Sequence, residues 1–181
     1  MFMNFLTAGE LWFDMGLNGG YCDLEREKKD YERGLSSGLG AGFGYCYHLP
    51  QGWFMSWTWL SLNIHGTYFL FQMQDTTVCN IDILTKFRVG KEFGAHRVYG
   101  IINPTKIECG TFKQNKNAGN IFFSTSIGAG WSFRFAESFS VIAEFEVTQP
   151  HLGYAEIQQN NRLKDKDYRL FVGIQIGKGK R

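Results

Sequence analysis

The sequence predicts an all-β chain closed as an eight-stranded antiparallel up-and-down barrel, and three observations carry that prediction. Apolar and polar residues alternate with period two in eight separate segments. The connections between them alternate between tight and long. No segment carries a helical stripe of useful length; "DLEREKKDYER" is the only candidate, and its charges lie all round, which suits a solvated loop.

The first segment lies near residues 10–22, where Leu11, Phe13, Met15, Leu17 and Tyr21 alternate with Trp12, Asp14, Gly16, Asn18 and Gly20. The second contains "GLGAGFG", which invites a phosphate-loop reading. A dinucleotide loop needs G-x-G-x-x-G between a buried strand and a helix. Here Phe43 stands at the third glycine position and no helical pattern follows. Instead Leu35, Leu39, Ala41, Phe43, Tyr45, Tyr47 and Leu49 form one face, opposite Ser36, Gly38, Gly40, Gly42, Gly44, Cys46 and His48. The stretch is a strand with one apolar face and one nearly bare face, which leaves room for longer groups opposite it.

In 53–72, Trp53, Met55, Trp57 and Trp59 share a face, after which Leu60, Leu62, Ile64, Tyr68 and Leu70 take the other parity. That switch predicts a bulge near Trp59. The fourth segment, 77–89, sets Cys79, Ile81, Ile83, Phe87 and Val89 against Asn80, Asp82, Lys86 and Arg88. The fifth, 96–111, contains Pro104, which cannot donate to a ladder. "NIFFSTSIGAGWSFRF", "FSVIAEFEVT" and the run from Tyr168 to Gly177 complete the eight. "PQG", "KEFGA" and "AES" are tight turns at one end; "EREKKDYERG", "QDT", "KQNKNAG" and "QPHLGYAEIQQNNRLKDKD" are mostly longer and charged, at the other. An even strand count brings both termini to the tight-turn end.

Composition agrees. The 181 residues are read as a single barrel domain, 1–181, with strands over about 9–178 and a basic tail at 179–181. Aromatic content of 17% with 22 Gly and only 3 Pro is unusual for a water-soluble domain. A net charge of +2 gives no electrostatic footprint for nucleic acid. No apolar run is long enough for a membrane helix, but a membrane barrel needs none, because its strands alternate. The opening "MFMNFLTAGELWF" has a small-residue site at Ala8 without a basic n-region or a long apolar stretch, so it does not read as a secretory leader. The chain as given is then mature, truncated or begun at another start.

These segments resemble the small eight-stranded outer-membrane β-barrels of bacteria, such as the OmpA membrane domain and OmpX. The likeness covers about residues 9–178 and is architectural; it implies short periplasmic turns, longer external loops and a bacterial outer-membrane location. Two features depart from that class: the chain ends "GKGKR" rather than on an aromatic, and four cysteines are many for it. In hydrocarbon every backbone N–H and C=O needs a partner, so an all-β span must close on itself. Lipid then faces the apolar set. A girdle of Trp12, Trp53, Trp57, Phe93, Trp131, Phe133 and Phe135, with Phe13 and Phe139, is expected near the tight turns, and Tyr68, Phe69, Phe71, Phe112, Phe122 and Phe123 near the other rim. The lumen of so narrow a barrel holds side chains rather than a water column. Asp14, Asp82, Lys86, Arg88, Arg134, Glu144, Glu146 and Arg169 are expected to form a paired charge network there.

No catalytic residue, metal or cofactor is assigned. His48 and His65, expected to face inward near Ser36, Ser61, Asn63 and the Glu144/Glu146 strand, would suit an acyl hydrolase, yet no local signature supports that chemistry over plug histidines. Glu144 and Glu146 have carboxylate-pair spacing, but the arginines favour a salt-bridge network. If the "KEFGA" turn centres near Gly94, Cys79 and Cys109 fall opposite each other, as a cross-strand disulfide or as two free thiols. No C-x-x-C pair suggests zinc. The long loop 150–167, with Tyr154, Arg162 and Lys164, is the best contact surface for other envelope proteins. The expectation is a non-enzymatic structural, adhesive or accessory barrel with a plugged lumen and membrane lipid around it. An outer-membrane lipid-modifying enzyme and a soluble lipocalin-like barrel, apolar inward around a small ligand, are the alternatives.

Overall fold

The computed structural model describes residues 9–26, 31–69, 76–83, 86–111, 119–150, 161–162 and 167–179, with side chains described for 9–21, 35–64, 86–107, 124–149 and 168–177. In chain order the strands are β1 (Gly9–Arg26), β2 (Tyr31–His48), β3 (Trp53–Phe69), β4 (Thr76–Ile83), β5 (Phe87–Phe93), β6 (His96–Thr111), β7 (Gly119–Ala136), β8 (Phe139–Pro150), β9 (Asn161–Arg162) and β10 (Asp167–Gly179). All pairings are antiparallel. β4 and β5 are two halves of one wall strand, since each pairs with both β3 and β6. The two residues of β9 pair with the far end of β1. β10 pairs with β8 on one side and with β1 on the other, from Glu10↔Gly179 to Cys22↔Asp167. The wall is therefore a closed eight-stranded up-and-down barrel without an open edge.

The three tight turns fall where the sequence places them. Pro50–Gly52 is a short 3-10 turn, with Gln51 at φ 61° and Gly52 at φ 77°. Gly94, at φ 62°, reverses the chain between the paired Phe93 and His96. Glu137 and Ser138 link the paired Ala136 and Phe139.

The barrel is inside-out relative to a water-soluble one. Along β1, Leu11, Met15 and Leu17 are more than half exposed, whereas Trp12 and Asp14 between them are buried. Among the described residues, the buried set holds fifteen polar or charged residues against six apolar ones. Large apolar side chains from every long wall strand instead cover the outside: Leu39, Ile64, Val98, Ile127, Phe145 and Leu170 among them. Such a surface suits hydrocarbon, and the polar interior satisfies itself, so this is a membrane-spanning barrel. The lipocalin-like alternative required the opposite alternation and falls on this observation.

Two irregularities set the inward register. At β2–β3 the pairing jumps between Phe43 and Gly44, so Trp59 has no partner of its own; Trp59 and Leu60 are consecutive and neither is buried. Thr58 and Ser61 flank them inward. At β6–β7 the pairing shifts between Asn103 and Lys106, around Pro104, whose carbonyl accepts a hydrogen bond from Thr125 Oγ1 at 2.8 Å. Pro104 lies opposite the break between β4 and β5, where no backbone donor is required of it.

Candidate functional site

The lumen is occupied by a network that ties six strands together. Glu144 on β8 is its hub. Its Oε1 accepts from Arg88 Nε on β5 at 2.6 Å and from Tyr99 OH on β6 at 2.9 Å. Its Oε2 accepts from Lys86 Nζ at 2.8 Å. Lys86 also binds Glu146, whose other oxygen accepts from Ser126 on β7 at 2.7 Å. Arg88 reaches across to Asp14 on β1 at 3.1 Å and to Thr58 on β3 at 3.3 Å. Its guanidinium stacks 4.5 Å from the centre of the Trp12 ring.

The glycine-bare face of β2 makes room for these groups. A methyl at Gly42 would stand 2.9 Å from Asp14 Oδ1, and one at Gly44 would stand 2.7 Å from the Trp12 ring. Toward the loop end, Asn18 donates to Asn63 at 3.0 Å and Asn63 to Ser61 at 3.3 Å. Lys106 and Arg169 border the same space, and the cavity left among these side chains measures about 40 Å³. That volume has room for a few waters.

A second charged cluster sits at the tight-turn end. Arg97 Nη1 donates to Glu10 Oε1 at 2.8 Å, and Arg97 Nε binds Glu92. Arg134 lies 3.5 Å from Glu92, and His48 lies 3.8 Å from both Glu10 and Glu92. Between the clusters, Trp12 Nε1, Ser56 Oγ and Arg97 Nη2 find no partner among the described residues, and Trp12, Ser56 and Arg97 border a void of about 10 Å³, room for roughly one water.

Of the eight charged residues expected in the lumen, Asp14, Lys86, Arg88, Glu144 and Glu146 meet in the plug. Arg134 belongs instead to the tight-turn cluster, and Arg169 lines the cavity on the loop side. The side chain of Asp82 lies outside the described residues. Sequence reasoning missed Tyr99, Arg97 and Lys106, all inward-facing. Continuing the alternation from His96 would have found the first two; the Pro104 irregularity hides the third.

Of the girdle residues, Trp53, Phe93, Trp131 and Phe135 are exposed, while Trp57 and Phe133 are half-buried on the same outward faces. Trp12 is a correction. It is buried in the lumen, because it shares the parity of Asp14 and not that of Leu11 and Phe13. Phe13 and Phe139 are exposed; the other-rim aromatics, Tyr68, Phe69, Phe71, Phe112, Phe122 and Phe123, have side chains outside the described residues, as do His65 and His151. His48 lies among Glu10 and Glu92, and His96 faces outward against Trp131 and Phe133. Ser126, the serine bonded to a plug carboxylate, has Lys86 and Glu146 as its neighbours in that network and no described histidine. The backbone register sets Cys79 directly opposite Cys109. Tyr154 and Lys164 lie outside the described residues, as does the side chain of Arg162; its backbone pairs with Glu25.

No protein-family model matches the chain, and no curated protein matches it. Solved structures do. The attachment invasion locus protein Ail of Yersinia pestis aligns over 95% of this chain and 100% of its own, with 14% identity and a TM-score of 0.55. Neisserial surface protein A aligns over 93% and 96%, with 10% identity and a TM-score of 0.55. A further Ail structure, in complex with the heparin analogue sucrose octasulfate, gives 14% identity and a TM-score of 0.54 over the same shares. The fold is that of the small eight-stranded outer-membrane barrels.

Proposed function

We propose that this chain is a bacterial outer-membrane barrel that works as a closed scaffold, non-enzymatic, presenting its long loops to partners rather than passing solutes. The observation that supports it most is the plug: Glu144, Lys86, Arg88, Asp14 and Glu146 bridge opposite walls of the lumen, and the cavity beside them among the described residues is about 40 Å³. The loop most suited to contact is 150–167, where Tyr154, Arg162 and Lys164 stand among several Asn and Gln. Ail has been solved with a heparin analogue. Loop 150–167 here carries three basic residues (Arg162, Lys164, Lys166) and three acidic ones (Glu156, Asp165, Asp167), a balance that favours a mixed protein surface over a sulfated polyanion.

The test is reconstitution into planar bilayers and liposomes, after heat-modifiable gel migration has established a folded barrel. The expected result is a tight membrane without steady single-channel conductance. Sustained ion conductance by the folded protein overturns the scaffold reading.

In an oxidising periplasm-facing envelope, Cys79 and Cys109 form a cross-strand disulfide on this reading. Directly opposed residues of an antiparallel pair have Cα atoms about 4.5–5.5 Å apart, within disulfide range. Protection of both thiols from alkylation until reductant is added is the expected outcome. Labelling of both without reductant overturns it.

A further inference from the structure

We propose that the periplasmic mouth of the lumen holds a transition-metal site, built from Glu10, Cys46 and His48 and suited to a borderline-soft divalent ion such as Zn²⁺. Glu10 and Cys46 are directly paired across β1 and β2, and His48 is the next inward residue along β2. One donor atom from each lies within 4.8 Å of the others. Around tetrahedral Zn²⁺, with bonds of about 2.0–2.3 Å, neighbouring ligand atoms sit roughly 3.3–3.8 Å apart. Glu10 Oε2 and His48 Nε2 already stand at 3.8 Å. Closing the trio asks no more than about 1 Å of side-chain adjustment, and a solvent water completes the four ligands.

The surroundings divide the labour as a metal site requires. Glu10 presents Oε1 to Arg97 and Oε2 to His48, so the arginine and the metal use different oxygens. His48 turns Nε2 to Glu10 and Nδ1 to Glu92, 3.8 Å away. The same adjustment of about 1 Å brings Glu92 within reach of Nδ1–H, the tautomer in which the near nitrogen is free to bind metal. Arg97 keeps Glu92 as a partner throughout. Cys46 is buried and is not in a disulfide, while the His48 side chain is 30% exposed toward the mouth, which supplies an entry path. Binding displaces the thiol proton to solvent, so thiolate and carboxylate together neutralise the dication.

The experiment uses the tag-free barrel in detergent, stripped with chelator and titrated with Co²⁺. A thiolate-to-cobalt absorption band, saturating at one ion per barrel and abolished by Zn²⁺ competition, is expected. Cys46→Ser removes the band; the triple variant Cys22→Ser, Cys79→Ser, Cys109→Ser keeps it. Glu92→Gln, which meets His48 only at the nitrogen away from the metal, weakens Zn²⁺ binding about 10- to 100-fold. Heat-modifiable migration of each variant verifies the folded barrel. No band in the parent protein, or a band that survives Cys46→Ser, overturns the site.

Discussion

Among the described residues the lumen contains two clusters of carboxylates and cations, and they differ in how they are enclosed. In the central plug, Glu144 is 1% exposed and its three partners approach at 2.6–2.9 Å. At the periplasmic mouth, the Glu92 and His48 side chains are 25% and 30% exposed, and their contacts with each other and with Arg134 stretch to 3.5–3.8 Å. Enclosure decides what a charge can do. A buried carboxylate held by three close donors is committed to the fold, because any lost partner strands a charge in low dielectric. A carboxylate open to solvent can exchange one partner for water, a proton or an ion at small cost. The plug is thus the fixed part of the lumen and the mouth its adaptable part.

The largest effect that would break this comparison is at the hub. Glu144→Ala leaves Arg88 and Lys86 buried and under-paired and removes the acceptor of Tyr99. The expected cost is about 3–5 kcal/mol, read as a lowered midpoint of denaturant unfolding in detergent micelles. Such a loss also admits the first ions through the barrel, so bilayer conductance should appear in this variant alone among those proposed. An unfolding midpoint within error of the parent would mean that solvent compensates Glu144 and that the plug is no more enclosed than the mouth.

Why the plug could be foreseen and the mouth could not follows from the period of a strand. Asp14, Arg88, Glu144 and Glu146 each stand between apolar neighbours (Phe13 and Met15, Phe87 and Val89, Ala143 and Phe145, Phe145 and Val147), and Lys86 shares the parity of Arg88, so parity alone turns them inward. Trp12 shares that parity; its indole reads as an interface residue by type, and only its stacking on Arg88 explains a large ring in the lumen. Parity also fails wherever a residue is inserted. The unpaired Trp59 was legible because two apolar residues follow one another, but the irregularity at Pro104 turns even-numbered Lys106 inward after odd-numbered Ile101 and Asn103. Register is subject to the same shift. Carried on from Phe87↔Ile102, the pairing would oppose Cys79 to Gly110; the one-residue slip across the β4–β5 break sets it against Cys109. The mouth needs still more than parity. Glu10, His48, Glu92, Arg97 and Arg134 come from five strands, and only barrel closure puts the first strand beside the others.

The smallest effect sharpens the comparison from the other side. Glu92→Gln keeps the size and an acceptor oxygen while removing the charge shared by Arg97, Arg134 and His48. Arg97 retains Glu10 at 2.8 Å, so no buried cation is left alone. The expected stability loss is therefore below about 1 kcal/mol, and it should shrink further as salt is raised, because ions reach a solvent-facing pair. Measured beside Glu144→Gln in the same denaturant series, the two sites separate by a factor that reports enclosure, since each exchanges one carboxylate for the same amide. A Glu92→Gln loss as large as that of Glu144→Gln, and indifferent to salt, would show the mouth to be sealed and would make Glu92 a second hub. A small, salt-sensitive loss leaves the periplasmic cluster as the part of the lumen where an ion can enter and exchange without unfolding the wall.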